Sequence, residues 1–145
     1  MESMDSEEDA RYRLRLAEGY VQEAEQLLAL RQWRACVSSA QLAVENSAKA
    51  VLAMVGPLVR SHDLSGMLLE AAGDLGLKEQ DLRKLHRLAE CARLLGLREH
   101  ILTDYGDELA YQTPWEIYDE GRGRTALTLA AEAYQIATHI VGSRA

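Results

Sequence analysis

Three residues in the segment 93–105 carry side chains that can act on a phosphate group: Arg93, Arg98 and His100. A histidine gains and loses a proton near neutral pH, so it can serve as a general acid or base. An arginine guanidinium can hold a phosphate through paired hydrogen bonds. These residue types indicate phosphate chemistry, provided that the fold brings an arginine and the histidine together.

A second pair of polar residues lies four positions apart in a long apolar segment. Glu45 precedes Lys49, and this order favours an ion pair on the surface of a helix. On these residues alone, the pair is predicted to be a surface ion pair.

The sequence indicates neither a metal site nor a cofactor. Cys36 and Cys91 form no Cys-x-x-Cys motif, and we expect both to be buried free thiols in a reducing compartment. The chain contains no Glu-x-x-His motif, which a di-iron helical bundle requires. It also contains no glycine-rich phosphate loop of the Walker or dinucleotide type.

The length of 145 residues and the net charge of −7 bound the class of protein. The length predicts a single domain over residues 1–145, with a flexible acidic N-terminus at 1–5. The acidity argues against a general nucleic-acid-binding protein, and nothing indicates DNA binding. The apolar runs are too short for a membrane span, and the acidic N-terminus is unlike a secretory signal, so we expect a cytoplasmic protein.

Apolar residues recur at helical spacing in five segments, and no segment alternates with a period of two. The pattern predicts an all-α fold, a compact antiparallel bundle of four long helices and one short helix. The predicted long helices are 6–30, 32–55, 78–98 and 122–142. The short helix follows a cap at Ser61-His62-Asp63-Leu64 and ends near Gly73 or Gly76. Residues 104–120 are predicted to form a long acidic loop, and loops of this length are often functional.

Three segments together resemble the HEPN family (higher eukaryote and prokaryote nucleotide-binding domains). Residues 41–56, from Gln41 through Glu45 and Lys49 to Gly56, are similar to the family's signature helix. His62-Asp63-Leu64 resembles the step into its short helix, and residues 126–140 resemble its alanine-rich closing helix. The resemblance covers nearly the whole chain. It implies a helical homodimer, often partnered with a small nucleotidyltransferase, that binds a nucleotide or RNA. It also opens a second interpretation of Glu45 and Lys49, as residues that face a dimer seam or ligand cleft.

Many members of that family are metal-independent ribonucleases of toxin–antitoxin systems, with an Arg-x(4–6)-His motif at a dimer cleft. Here Gly96-Leu97-Arg98 resembles the start of the motif, and Asp104-Tyr105 resembles its end. Thr103 stands where the family has its histidine, and a hydroxyl that does not titrate near neutrality cannot act as acid or base. The resemblance therefore implies a degenerate nuclease site, with Arg98, Thr103, Asp104 and Tyr105 as residues that could bind a nucleotide or partner.

Spacing alone offers an alternative, because Arg93 and His100 also satisfy the motif if one helix continues through both. The charge distribution argues against binding of a polyanion near Arg98. Residues 31–98 carry a local charge of +3, whereas residues 99–120 carry seven acids and no lysine or arginine. Three functions remain open: a non-catalytic nucleotide- or partner-binding module, a ribonuclease that uses Arg93 or Arg98 with His100, and a structural interaction bundle.

Overall fold

The computed structural model describes residues 2–56 and 63–144, and within these ranges the chain forms seven helices and no strand. The four long helices are α1 (Glu2–Ala29), α2 (Trp33–Ala53), α4 (Glu79–Leu94) and α7 (Glu120–Arg144). The three shorter helices are α3 (Leu64–Leu75), α5 (Leu97–Tyr105) and α6 (Pro114–Ile117). The predicted all-α bundle is confirmed. None of the described helices is long and apolar enough to cross a membrane.

Helix α2 is the centre of the bundle and contacts all six other helices. Its buried residues include many alanines, which let neighbouring helices approach closely, and two valines, Val44 and Val51, that are fully buried. Facing it, α1 contributes small residues such as Ala17 and Ala24, and α7 contributes Ala130. Cys36 and Cys91 are buried free thiols, as the sequence predicted.

The ends of α1 and α3 are set by local backbone chemistry. Helix α1 begins at Glu2, so the segment expected to be flexible at 1–5 is helical from its second residue. The Asp63 side chain accepts a hydrogen bond from the Gly66 N–H at 3.0 Å and caps the start of α3. Gly76, with φ 59°, ends α3 in the left-handed region that favours glycine. Ser61 and His62 of the predicted cap lie outside the described residues.

The predicted helix 78–98 is two helices, which corrects one premise of the sequence analysis. Helix α4 ends at Leu94 and α5 begins at Leu97. A Cβ atom at Gly96 would lie 2.7 Å from the carbonyl oxygen of Ala92, so only glycine fits this break without a shift of backbone. Arg93 and His100 are consequently on different helices, so the condition under which they would share one helix face is not met.

The segment 104–120, predicted as a loop, is largely ordered by helices and a tight turn. Helix α5 continues to Tyr105, and Asp107 and Gln112 then pair through two backbone hydrogen bonds of 2.9 and 3.0 Å. Thr113 and Glu116 form a capping box at the start of α6. The acids of this predicted loop include turn and cap residues, such as Asp107 in the turn and Glu116 in the capping box.

Candidate functional site

A row of polar side chains runs along one face of α2 at intervals of four residues: Gln41, Glu45 and Lys49. The Gln41 amide donates to Glu45 Oε1 at 3.4 Å, and Lys49 Nζ donates to Glu45 Oε2 at 3.2 Å. Gln41 is buried, whereas the side chains of Glu45 and Lys49 are each 28% exposed. The predicted ion pair is present, and it lies at the mouth of a cavity.

His100, in the first turns of α5, meets this row across the gap between the two helices. Its Nδ1 lies 3.3 Å from Gln41 Oε1. An amide oxygen can only accept, so this contact fits a ring protonated at Nδ1, which leaves Nε2 as an acceptor. The cavity between α2 and the α4–α5 break has a volume of about 230 Å³, with Val44, Leu64 and Leu95 supplying apolar wall. We call it the α2 cavity.

Arg98 faces a second and larger cavity, which lies between α5 and the start of α7. This cavity of about 390 Å³ has an apolar floor and carries the side chains of Glu99, Tyr118 and Arg122. The Tyr118 hydroxyl donates to Glu99 Oε2 at 2.5 Å. Burial, and then this hydrogen bond, raise the pKa of Tyr118 above its usual value. We call this cavity the α5–α7 groove.

The two candidate arginines do not meet His100 in one site. Arg98 and His100 are two positions apart on a helix, a spacing that turns side chains away from each other. His100 lines the α2 cavity and Arg98 lines the α5–α7 groove. Arg93 is exposed on the last turn of α4 and lines neither of these two cavities.

Thr103 on α5 is only 1% exposed. Its hydroxyl donates to the His100 carbonyl oxygen at 3.0 Å, and its own carbonyl accepts from Arg34 Nη1 at 2.9 Å. The side chain thus faces the protein interior. Asp104 and Tyr105, in the last turn of α5, are exposed.

Sequence reasoning missed Gln41 in the α2 cavity and two long-range contacts made by α5. The spacing of four between Gln41 and Glu45 is a usable signal, because it places both side chains on one face of α2. Arg34 holds the Thr103 carbonyl and lies over the Trp115 ring, 5.8 Å from its centroid, across 81 residues of sequence. The Tyr118–Glu99 contact likewise joins a buried tyrosine to another element, and no local pattern marks either contact.

The described residues contain no group of three or more histidine, cysteine, aspartate or glutamate side chains that could hold a metal ion. The α2 cavity has one imidazole, one carboxylate, one ammonium and one amide. Those groups can donate and accept hydrogen bonds around a small polar ligand, whose apolar face would rest on the leucine and valine walls.

Comparison with known proteins agrees with this architecture. The sequence profile described as HEPN domain matches residues 10–141. Among solved structures, the crystal structure of TT1696 from Thermus thermophilus is similar, with a TM-score of 0.68 and 21% sequence identity. The superposition covers 90% of this chain and 97% of that one, which shows a common fold. No curated protein matches this chain.

Proposed function

Because this chain belongs to the HEPN domain family, a family of nucleotide-binding and RNase-type helical modules, we propose that it binds a nucleotide in the α2 cavity and does not cleave RNA. The observation that carries the proposal is that the histidine and the arginine of a possible ribonuclease site lie at different cavities. The hydrogen-bonding groups around His100 converge on one cavity, whereas Arg98 lines another.

The composition of the α2 cavity supports a nucleotide. The Gln41 amide and the Glu45 carboxylate can pair with the polar edge of a base, and the Lys49 ammonium can meet a phosphate. The volume of about 230 Å³ is below the roughly 300 Å³ of a pocket that encloses a drug-sized molecule. The base or the sugar would occupy the cavity, and the phosphates would extend past Lys49 to its exposed side.

The state of Thr103 supports the loss of nuclease activity. Acid–base catalysis needs a group that exchanges a proton near neutral pH and reaches the substrate. Thr103 does not titrate in that range, and its buried hydroxyl is bonded to the helix backbone. His100 has no arginine beside it in the α2 cavity to hold a scissile phosphate.

Calorimetric titration of the purified protein with ATP, GTP and AMP tests nucleotide binding. We expect one of the three to bind, and Lys49→Met to weaken that binding by about tenfold. Lys84→Met is the matched control, because Lys84 is exposed on α4 and lines neither cavity. Equal affinity of both variants, or binding by none of the three nucleotides, would contradict the proposal.

An RNA cleavage assay tests the proposal that the protein does not cleave RNA. We expect wild-type protein to leave a structured RNA intact, and Arg93→Ala, Arg98→Ala and His100→Ala to change nothing. Cleavage by wild-type protein that His100→Ala abolishes would instead establish the ribonuclease. It would also require a second copy to supply the missing arginine.

We further propose a homodimer, since HEPN domains commonly dimerise, that lies in the cytoplasm and acts with a nucleotidyltransferase-type protein. The acids of residues 99–120 favour a partner with a basic surface over direct contact with a nucleic acid. Co-expression with a candidate nucleotidyltransferase and size-exclusion chromatography would test this partnership. Failure to co-elute would remove the partner and would leave nucleotide binding intact.

A further inference from the structure

Exposed apolar side chains are concentrated on one segment of the chain. Seven of the eleven exposed large hydrophobic residues among the described residues lie within residues 94–115. Leu97, Ile101 and Tyr105 are spaced by four on α5 and form one stripe, and Leu109 and Tyr111 follow in the next turn. An exposed apolar surface of this kind usually marks an interaction site.

The turn between Asp107 and Gln112 holds its two apolar residues in a fixed position. Beyond the two backbone hydrogen bonds that close it, Asp107 Oδ1 accepts from the N–H groups of Leu109 and Ala110, both at 3.1 Å. Leu109 is 96% exposed and Tyr111 is 91% exposed, and Tyr111 adopts a φ of 56° that a tyrosine rarely takes. An ordered turn that presents two anchors loses little conformational entropy on binding.

The surroundings of the turn and of the α5–α7 groove have opposite charge. Asp104 and Glu108 flank the turn, and both are exposed. Arg98 and Arg122 stand at the groove, are exposed, and have no hydrogen-bond or ion-pair partner for their guanidinium groups among the described residues. The floor between them is apolar and includes Leu94, which is itself 42% exposed.

The groove lies along α5, and the turn follows the C-terminal end of the same helix. Arg98 and Leu102 of α5 line the groove, and the turn begins directly after α5 ends at Tyr105. A two-fold contact needs two complementary features side by side on one chain, so that each copy gives what the other receives. A dimer in which the two turns meet would place acidic residues against acidic residues. A dimer in which each turn enters the groove of the other copy places acidic residues against arginines.

We propose that a second copy of this chain docks on this surface, with Leu109 and Tyr111 of each copy inserted in the α5–α7 groove of the other. Asp104 and Glu108 then meet Arg98 and Arg122 across the interface. The inference rests on the homodimer of the proposed function and assigns its contact surface. It gives Arg98, the counterpart of the family's phosphate-binding arginine, a role in holding the partner copy.

Light scattering and analytical ultracentrifugation of the full chain over a concentration series test the assignment. Wild type should be a dimer of twice 16.1 kDa. Leu109→Ser combined with Tyr111→Ser should weaken the dimer on the order of thirtyfold. Tyr12→Ser with Leu30→Ser removes similar exposed groups elsewhere and should stay dimeric, and circular dichroism verifies that both variants fold.

Charge exchange makes the test specific to the proposed pairing. Arg98→Glu with Arg122→Glu, and separately Asp104→Arg with Glu108→Arg, should each yield monomers. Mixing the two double variants should restore a dimer, because both reciprocal contacts of the mixed dimer again have opposite charges. A monomeric wild type, a dimer insensitive to the turn variant, or a mixture that stays monomeric would each overturn the proposal. Nucleotide calorimetry on the monomeric variants keeps this result separate from the α2 cavity.

Discussion

Thr103 and His100 are joined through the backbone of α5, where Thr103 Oγ1 donates a hydrogen bond to the His100 carbonyl oxygen at 3.0 Å. The Thr103 side chain is buried, while the His100 ring lies at the α2 cavity beside Gln41. The position that resembles the family's catalytic histidine is therefore part of the protein interior. The histidine that does reach a cavity occupies a different position on the helix.

Thr103→His should destabilise the protein and should not create a nuclease. The larger ring overfills a buried site, and the threonine hydrogen bond is lost, so we expect a loss of about 3 kcal/mol in the free energy of unfolding. Urea denaturation measures the change. Thr128→His is the control, because the Thr128 hydroxyl also bonds to a helix carbonyl, at 3.0 Å, but is exposed. A Thr103→His protein as stable as wild type that cleaves RNA would contradict both expectations.

Arg34→Gln should loosen α5 and α6 on α2. Arg34 Nη1 donates to the Thr103 carbonyl at 2.9 Å, and the guanidinium lies 5.8 Å from the centroid of the Trp115 ring. Loss of both contacts at this half-buried position should cost about 1–2 kcal/mol and speed hydrogen exchange in α5. Arg31→Gln is the matched control for Arg34→Gln, because Arg31 also lies near a tryptophan ring, 5.4 Å from the Trp33 centroid, but is exposed. Equal exchange in the two variants would show that the Thr103 contact does not stabilise α5.

The sequence predicts helices well where apolar residues recur over many turns, as in α1, α2 and α7. It fails at the break between α4 and α5, because the pattern continues through Leu95 and Leu97 while the steric demand at Gly96 is a property of the folded backbone. The sequence predicts some of the residues that meet at the α2 cavity but not the contact between the two helices that form it. The spacing of Glu45 and Lys49 indicates a shared face, whereas the approach of His100 to Gln41 depends on how two helices cross.

The Arg87–Glu132 pair should give stability that depends on acid pH. Arg87 on α4 bonds to both carboxylate oxygens of Glu132 on α7, at 2.8 and 2.9 Å, and this contact lowers the pKa of Glu132 below its usual 4.5. A depressed pKa means that the pair stabilises the fold above about pH 4.5 and that this contribution is lost as the pH falls through the folded-state value.

Glu132→Gln should therefore reduce the free energy of unfolding at pH 7 and have a smaller effect in acid. The change at pH 7 should stay below about 1 kcal/mol, because both side chains are 37% exposed to solvent. Glu79→Gln is the control, since its ion pair with Arg83 is far more exposed, and it should have no measurable effect. A Glu132→Gln effect that is equal at pH 7 and at pH 3 would argue against the carboxylate as its source.

Tyr118 should remain protonated at alkaline pH longer than an ordinary tyrosine. Burial and, next, its hydrogen bond to Glu99 raise its pKa above the usual 10. A raised pKa means that the contact stabilises the fold below about pH 10 and that this contribution disappears as the pH rises through the folded-state value. Tyr118→Phe should cost about 1–2 kcal/mol at neutral pH, because Glu99 loses its donor.

Ultraviolet titration of the phenols measures this pKa in difference spectra between wild type and Tyr118→Phe. Tyr111→Phe provides the comparison, since Tyr111 is 91% exposed and loss of its hydroxyl should not change stability. Glu99→Gln separates the two causes. It should lower the Tyr118 pKa only in part, because burial is the larger cause and remains. A return of Tyr118 to the usual value in Glu99→Gln would show that the carboxylate, and not burial, dominates its ionisation.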